Sequence, residues 1–249
     1  MDDLKQRAKK LGIRALVRHW DEFAGQAWIK ILLDKEDEER QQRSFERRIR
    51  EARINEFKPL AEFDWNWPRE IDREAIEELM QLDFIKDHCN VVLRGPNGTG
   101  KTMIAKNIAY QALMAGYKTR FVSASQMLSE LAAHDSASAR QRCMRKYTGV
   151  DLLVIDEVGY LSYASNYADL LYEVLNARYL KKSTIVTTNR IFEEWNEVFP
   201  HAACVVTLVD RLTHKAEVLS IDADSFRHRE STERAAEKEK LRKVRRKIA

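Results

Sequence analysis

Eight consecutive residues constrain this chain more than any other feature: Gly95-Pro96-Asn97-Gly98-Thr99-Gly100-Lys101-Thr102. The pattern G-x-x-x-x-G-K-[ST] carries meaning only between a strand and a helix. Here the apolar run Asn90-Val91-Val92-Leu93 precedes it and a helical pattern over 102–116 follows. Three of the chain's 8 glycines sit in the loop. They let the backbone curl so that its N–H groups point inward at phosphate oxygens, and the helix start adds the positive end of its dipole. The loop is therefore expected to cradle the phosphates of ATP. Lys101 would reach the β- and γ-phosphates, and the Thr102 hydroxyl would ligate Mg²⁺.

A second motif lies downstream. Leu152-Leu153-Val154-Ile155 ends in Asp156-Glu157, an apolar strand delivering carboxylates at its C-terminal end. In that Walker B arrangement Asp156 joins the Mg²⁺ shell, and Glu157 polarises a water for attack on the γ-phosphate. Thr187-Thr188-Asn189 ends the next apolar run, Ser183-Thr184-Ile185-Val186. Asn189 is expected between the first two motifs, where an amide can orient that water.

The texture around these motifs is βαβα from residue 90: runs at 90–93, 119–122, 152–155 and 183–187, with helical patterns at 102–116, 125–133, 140–146 and 167–180. This predicts an α/β fold with a parallel sheet covered by helices on both faces. Residues 1–58 read differently. They predict two or three helices, the last over about 34–57 and rich in arginine (Arg43, Arg47, Arg48, Arg50, Arg53), with Pro59 ending it. A Pro-broken aromatic linker, Phe63-Asp64-Trp65-Asn66-Trp67-Pro68, and a helix over 73–82 follow. The expected organisation is a helical domain at 1–58, an ATPase domain at 59–230 and a basic tail at 231–249.

Charge supports that division. The net +4 is uneven: residues 1–58 carry 15 Lys/Arg against 12 Asp/Glu, and 231–249 carry 8 against 3, leaving the centre mildly acidic. Basic arms flanking a neutral core suit a polyanion, and equally an ordinary solvated helical surface. The three cysteines, Cys89, Cys143 and Cys204, form no C-x-x-C pair, so neither a disulfide framework nor a zinc site is expected. No apolar run approaches a membrane span, and the acidic start Met1-Asp2-Asp3 does not read as a signal peptide. A cytoplasmic protein is the expectation.

Three arginines, Arg190, Arg211 and Arg227, follow the Asn189 strand. ATPases of this type often use an arginine from a neighbouring subunit to stabilise the transition state. Arg211 is the preferred candidate, with a salt-bridge role open for each.

Together, Phe63-Asp64-Trp65, the phosphate loop, 151–160, Arg178-Tyr179, 183–189, Trp195, Asp210-Arg211-Leu212-Thr213-His214 and Ser225-Phe226-Arg227 resemble the IstB-like ATPases, transposition helpers of bacterial insertion sequences. These are similar in turn to the DnaC helicase loaders of the AAA+ superfamily. The resemblance spans roughly residues 60–230. It implies an AAA+ P-loop fold without a separate C-terminal lid, ATP-dependent binding to duplex DNA, and homo-oligomers with ATP at subunit interfaces. It also implies a cognate transposase as partner. The alternative is a replicative helicase loader. Under the resemblance Asn189 is sensor 1 and Arg211 the arginine finger. Phe226 stands where the family has tyrosine, Pro96-Asn97 where Pro-Pro or Pro-Thr is usual, and Asp222-Ala223-Asp224 where a glycine is common.

Overall fold

In the computed structural model, residues 2–134, 136–160, 165–200, 203–226, 229, 232 and 234 are described. Arg227 and most of the 231–249 tail, both singled out in the sequence, lie outside the described residues. The chain divides into two compact units, Met1–Arg50 and Glu51–Ala249.

The first unit is helical: α1 (Asp2–Lys10), α2 (Arg14–Arg18), α3 (Trp20–Phe23) and most of α4 (Trp28–Ala52). Its core is Ala8, Leu11, Leu16, Trp20, Ile29 and Leu33. Ile29 and Leu33, one turn apart, seat α4 in that core, so α4 starts earlier than the expected 34. It also ends earlier than 57, because Arg53 and Asn55 take left-handed φ values of 53° and 55°. The exposed half of α4 is laced by its own charges, as in Arg40–Glu36 at 2.6 Å and Lys35–Glu38 at 2.7 Å.

The unit boundary also falls earlier than the expected 58/59. Residues after Glu51 attach to the second unit: Asn107 Nδ2 donates to Lys58 O at 3.0 Å, its Oδ1 accepts Leu60 N–H at 2.9 Å, and Lys106 donates to Glu56 O at 3.2 Å.

The second unit runs α5 (Arg73–Leu79), α6 (Asp83–Lys86), β1 (Asn90–Arg94), α7 (Lys101–Met114), β2 (Thr119–Ser123), α8 (Ala124–Ala132), α9 (Ala137–Thr148), β3 (Leu152–Val158), α10 (Ser165–Arg178), β4 (Ser183–Thr188), α11 (Trp195–Val198), α12 (Val205–Thr213) and β5 (Ala216–Ser220). The helix expected over 73–82 stops at Leu79, and Leu82 turns left-handed at φ 67° before α6. Side chains of Asp72, Ser123 and Ser136 accept first-turn N–H groups and so start α5, α8 and α9.

The five strands form one parallel sheet in the order β2-β3-β4-β1-β5. Val92, Leu153, Ile155 and Val186 share one cluster with residues of α8 to α12. The alternate residues Val91, Leu93, Leu152, Val154 and Ile185 are equally buried, so both faces are covered as the continuous apolar runs predicted. β5 was not legible in the sequence. It is an edge strand in which Glu217 and Ser220 interrupt the apolar run and only Leu219 is buried.

Below the sheet, Arg178 closes the N-terminal ends of β3 and β4. Only 1% exposed, it donates to Thr184 Oγ1 (3.0 Å), Tyr147 O (2.8 Å), Val150 O (2.8 Å), Asp151 O (3.2 Å) and Ser183 O. Burial pulls its pKa down to about 9, which still leaves it charged at neutral pH.

Candidate functional site

A parallel sheet places its strand C-termini on one side, and ligands collect there. β1 leads directly into the phosphate loop. Two glycines in it have no substitute. At Gly95 a Cβ would stand 2.1 Å from the Ile221 carbonyl oxygen. Gly100 takes φ 97° as the residue before α7, and a Cβ would stand 2.4 Å from the Phe63 ring. No side chain caps α7. Its first-turn amides and dipole end are therefore disposed towards an anion. Lys101 is 8% exposed and donates to Gly95 O at 2.7 Å and Pro96 O at 2.6 Å. Thr99 Oγ1 donates to Pro96 O at 3.0 Å, which tightens the loop's tip.

The second motif is built by an irregularity. β3 runs on through Val158, and its register with β4 shifts between Ile155 and Val158. Glu157 lies in that bulge with φ 62°, a left-handed conformation unusual for glutamate. In a regular strand adjacent side chains go to opposite faces. The bulge breaks the alternation and separates the two carboxylates by burial. Asp156, 5% exposed, accepts the hydroxyl of Thr102 on Oδ1 at 3.1 Å. Glu157 is exposed and lines the cavity beside the loop.

Thr187 holds this arrangement. Its hydroxyl donates to Asp156 Oδ1 at 2.5 Å and accepts the Glu157 N–H at 2.9 Å. In the sequence the Thr187-Thr188-Asn189 run points to a role for Asn189 alone. No local signal marks Thr187, because its place beside Asp156 arises from the pairing of β3 with β4.

The cavity measures about 310 Å³. Asn97, Gly98, Thr99, Gly100, Lys101, Thr102, Glu157 and Asn189 line it, so the phosphate loop, Glu157 and Asn189 converge on one cavity. Phe63, Trp67 and Phe226 form an aromatic part of the same cavity, with Trp67 and Phe226 edge to face at 5.8 Å. Phe226 N–H donates to Gly98 O at 3.1 Å, and Trp67 Nε1 to Asp224 O at 2.9 Å, which ties this wall to the loop. No nucleotide role had been given to these aromatics. The clustering of Phe63 and Trp67 in a Pro-broken linker before the first strand is a local clue, whereas Phe226 comes from beyond β5 and has none.

The arginines separate. Arg190 pairs with Glu194 at 3.2 Å. Arg211, on α12, does not line the cavity and lies over the rings of Tyr172 and Tyr179. Arg227 lies outside the described residues.

Thr102 and Asp156 offer two hard oxygen donors 3.1 Å apart, and among the described residues no cluster of three or more His, Cys, Asp or Glu could hold a metal by itself. That set fits Mg²⁺ shared with phosphate oxygens rather than caged by protein. The three cysteines are free. Among the described residues no helix is long and apolar enough to cross a membrane.

The family model for IstB-like ATP binding proteins matches residues 7–234. The ATP-binding protein of insertion sequence IS21 from Pseudomonas aeruginosa is 31% identical over 92% of this chain and 90% of its own length. That of insertion sequence IS5376 from Geobacillus stearothermophilus is 33% identical over 80% and 79%. Among solved structures, DnaI superposes with a TM-score of 0.55 at 16% identity over 69% of this chain and 90% of that one. The replication initiator DnaA bound to AMPPCP and single-stranded DNA superposes with a TM-score of 0.52 at 22% identity, covering 62% and 47%. These structural likenesses establish the fold alone.

Proposed function

This chain belongs to the family of IstB-like ATP-binding proteins, and we propose that it is an ATPase that assembles on duplex DNA and serves a cognate transposase. The observation that carries the enzymatic part is the convergence of Lys101, Glu157 and Asn189 on one cavity, with the Thr102–Asp156 pair at its base. The phosphate loop binds the triphosphate, and Phe63, Trp67 and Phe226 offer ring faces to the base. Thr102 and Asp156 would hold Mg²⁺, which would supply positive charge beside the phosphate oxygens.

Glu157 accepts a proton from the attacking water, and Asn189 orients that water. Lys101 counters the charge on the β- and γ-phosphates. Arg211 reaches the γ-phosphate of a neighbouring subunit. Its place outside its own cavity and the pairing of Arg190 with Glu194 support Arg211 over Arg190. ATP at a shared interface then controls assembly of the homo-oligomer.

The basic residues of 1–58, among them Arg43, Arg47 and Arg50 on exposed turns of α4, and those of 231–249 contact DNA phosphates. Such contacts give affinity with little base specificity. The test is duplex binding with ATP and with ADP across a salt series. The expected result is ATP-dependent assembly whose affinity falls steeply with salt. No duplex binding with either nucleotide would overturn the transposition reading and favour a helicase loader.

A further inference from the structure

A guanidinium carries five N–H donors and a long, flexible stem. An arginine meant for an external anion has to be held in place without spending those donors on a carboxylate. Arg211 meets that requirement. Its guanidinium carbon lies 5.1 Å from the centre of the Tyr172 ring and 5.4 Å from that of Tyr179, within cation–π range of both. Ring faces attract the charge without accepting its N–H groups in the ring plane. Among the described residues no carboxylate forms an ion pair with Arg211, whereas Arg190 and Arg7 are each paired. Arg211 is half-buried, so its stem is restrained while part of it remains accessible.

The two rings are themselves fixed. Tyr172 lies on α10, which packs against α12, and Tyr179 stands in the turn directly after that helix. Tyr179 directly follows Arg178, whose five hydrogen bonds anchor the end of that helix. The Tyr179 hydroxyl lies 2.7 Å from His214 Nδ1, and His214 N–H donates to Asp210 O at 2.8 Å. The last turn of α12 thus presents Arg211, and His214, which caps that helix three residues on, braces the Tyr179 ring.

The geometry points to Tyr172 and Tyr179 as positioning residues that hold Arg211 ready for phosphates bound by a neighbouring subunit, with His214 fixing Tyr179. This rests on the reading of Arg211 as a residue acting between subunits. The clamp removes rotamer freedom before the anion arrives, so the cost of ordering the side chain is not charged to the transition state.

The test is steady-state ATP hydrolysis by the full chain with duplex DNA, using Tyr172→Leu/Tyr179→Leu, Arg211→Ala and mixtures with Lys101→Ala subunits. The expected result for the double tyrosine variant is a fall in kcat of about 10-fold or more, with KM for ATP within about 2-fold. Lys101→Ala subunits keep the clamp and Arg211, and adding them restores activity to both the tyrosine variant and Arg211→Ala. Tyr179→Phe keeps both rings and loses only the contact with His214; its kcat falls about 2- to 5-fold at an unchanged melting temperature. A parental kcat in the double variant would overturn the clamp. So would rescue of Arg211→Ala without rescue of the tyrosine variant. If Arg211→Ala itself is not rescued, the between-subunit reading falls and takes the clamp with it.

Discussion

The hydroxyl of Thr187 binds both halves of the acidic pair, donating to Asp156 Oδ1 at 2.5 Å and accepting the main-chain N–H of Glu157 at 2.9 Å. One side chain on β4 therefore sets the position of the Asp156 carboxylate and of the bulge that carries Glu157, the proposed base. Thr187→Val keeps the shape and removes both bonds. Its kcat should fall about 10-fold, with ATP affinity changed far less, because the bonds position groups that act on the reacting phosphate. Parallel measurements of hydrolysis and of fluorescent-ATP binding check this, and an unchanged kcat would remove Thr187 from the site.

Glu157→Gln retains the size of the side chain but not its basicity. ATP should bind and hydrolysis should drop about 100-fold or more, trapping the assembled form. Lys101→Ala should instead weaken nucleotide binding itself, since the ammonium's place is beside the phosphates. Hydrolysis by Glu157→Gln at the parental rate would show the catalytic assignment to be wrong.

Arg178 tests the floor of the sheet rather than its ligand side. Arg178→Met leaves four carbonyls and the Thr184 hydroxyl without their buried donor. A loss of about 3 kcal/mol or more is expected, since each buried acceptor left unpaired costs on the order of 1 kcal/mol. Chemical denaturation of the two proteins measures the difference.

Glu130 predicts an acid-dependent stability. Burial alone would raise its carboxyl, but hydrogen bonds from Lys146 and Tyr147 outweigh that and hold it at about 2. A depressed folded pKa stabilises above the ordinary carboxylate range and ceases to do so as the pH falls through the folded value. Glu130→Gln should therefore cost about 1–2 kcal/mol at pH 7. The gap between parent and variant should narrow progressively below about pH 4.5, as followed by melting curves from pH 7 to 3.

Much of the site could be read in the sequence because its groups are local. The phosphate loop and the Asp156-Glu157 pair are each contiguous, and their strand–loop–helix context repeats at short range. The α/β alternation was legible for the same reason. Strands covered on both faces are unbroken apolar runs, whereas the edge strand β5, with Glu217 and Ser220, is not. The ends of α4 were misplaced because its start is set by Ile29 and Leu33 packing against distant residues.

By itself, then, the sequence determined the fold class, the phosphate loop and which carboxylates end the apolar run of β3, since backbone curvature and side-chain alternation depend on near neighbours. Tertiary structure alone decided how those groups are held. It placed Thr187 across the sheet from Asp156, brought Phe226 against Trp67 from the far end of the chain, and set Arg211 on Tyr172 and Tyr179. These are pairings between residues many positions apart, and no local spacing encodes them. They depend on strand order and helix packing, which exist only once the hydrophobic core has closed.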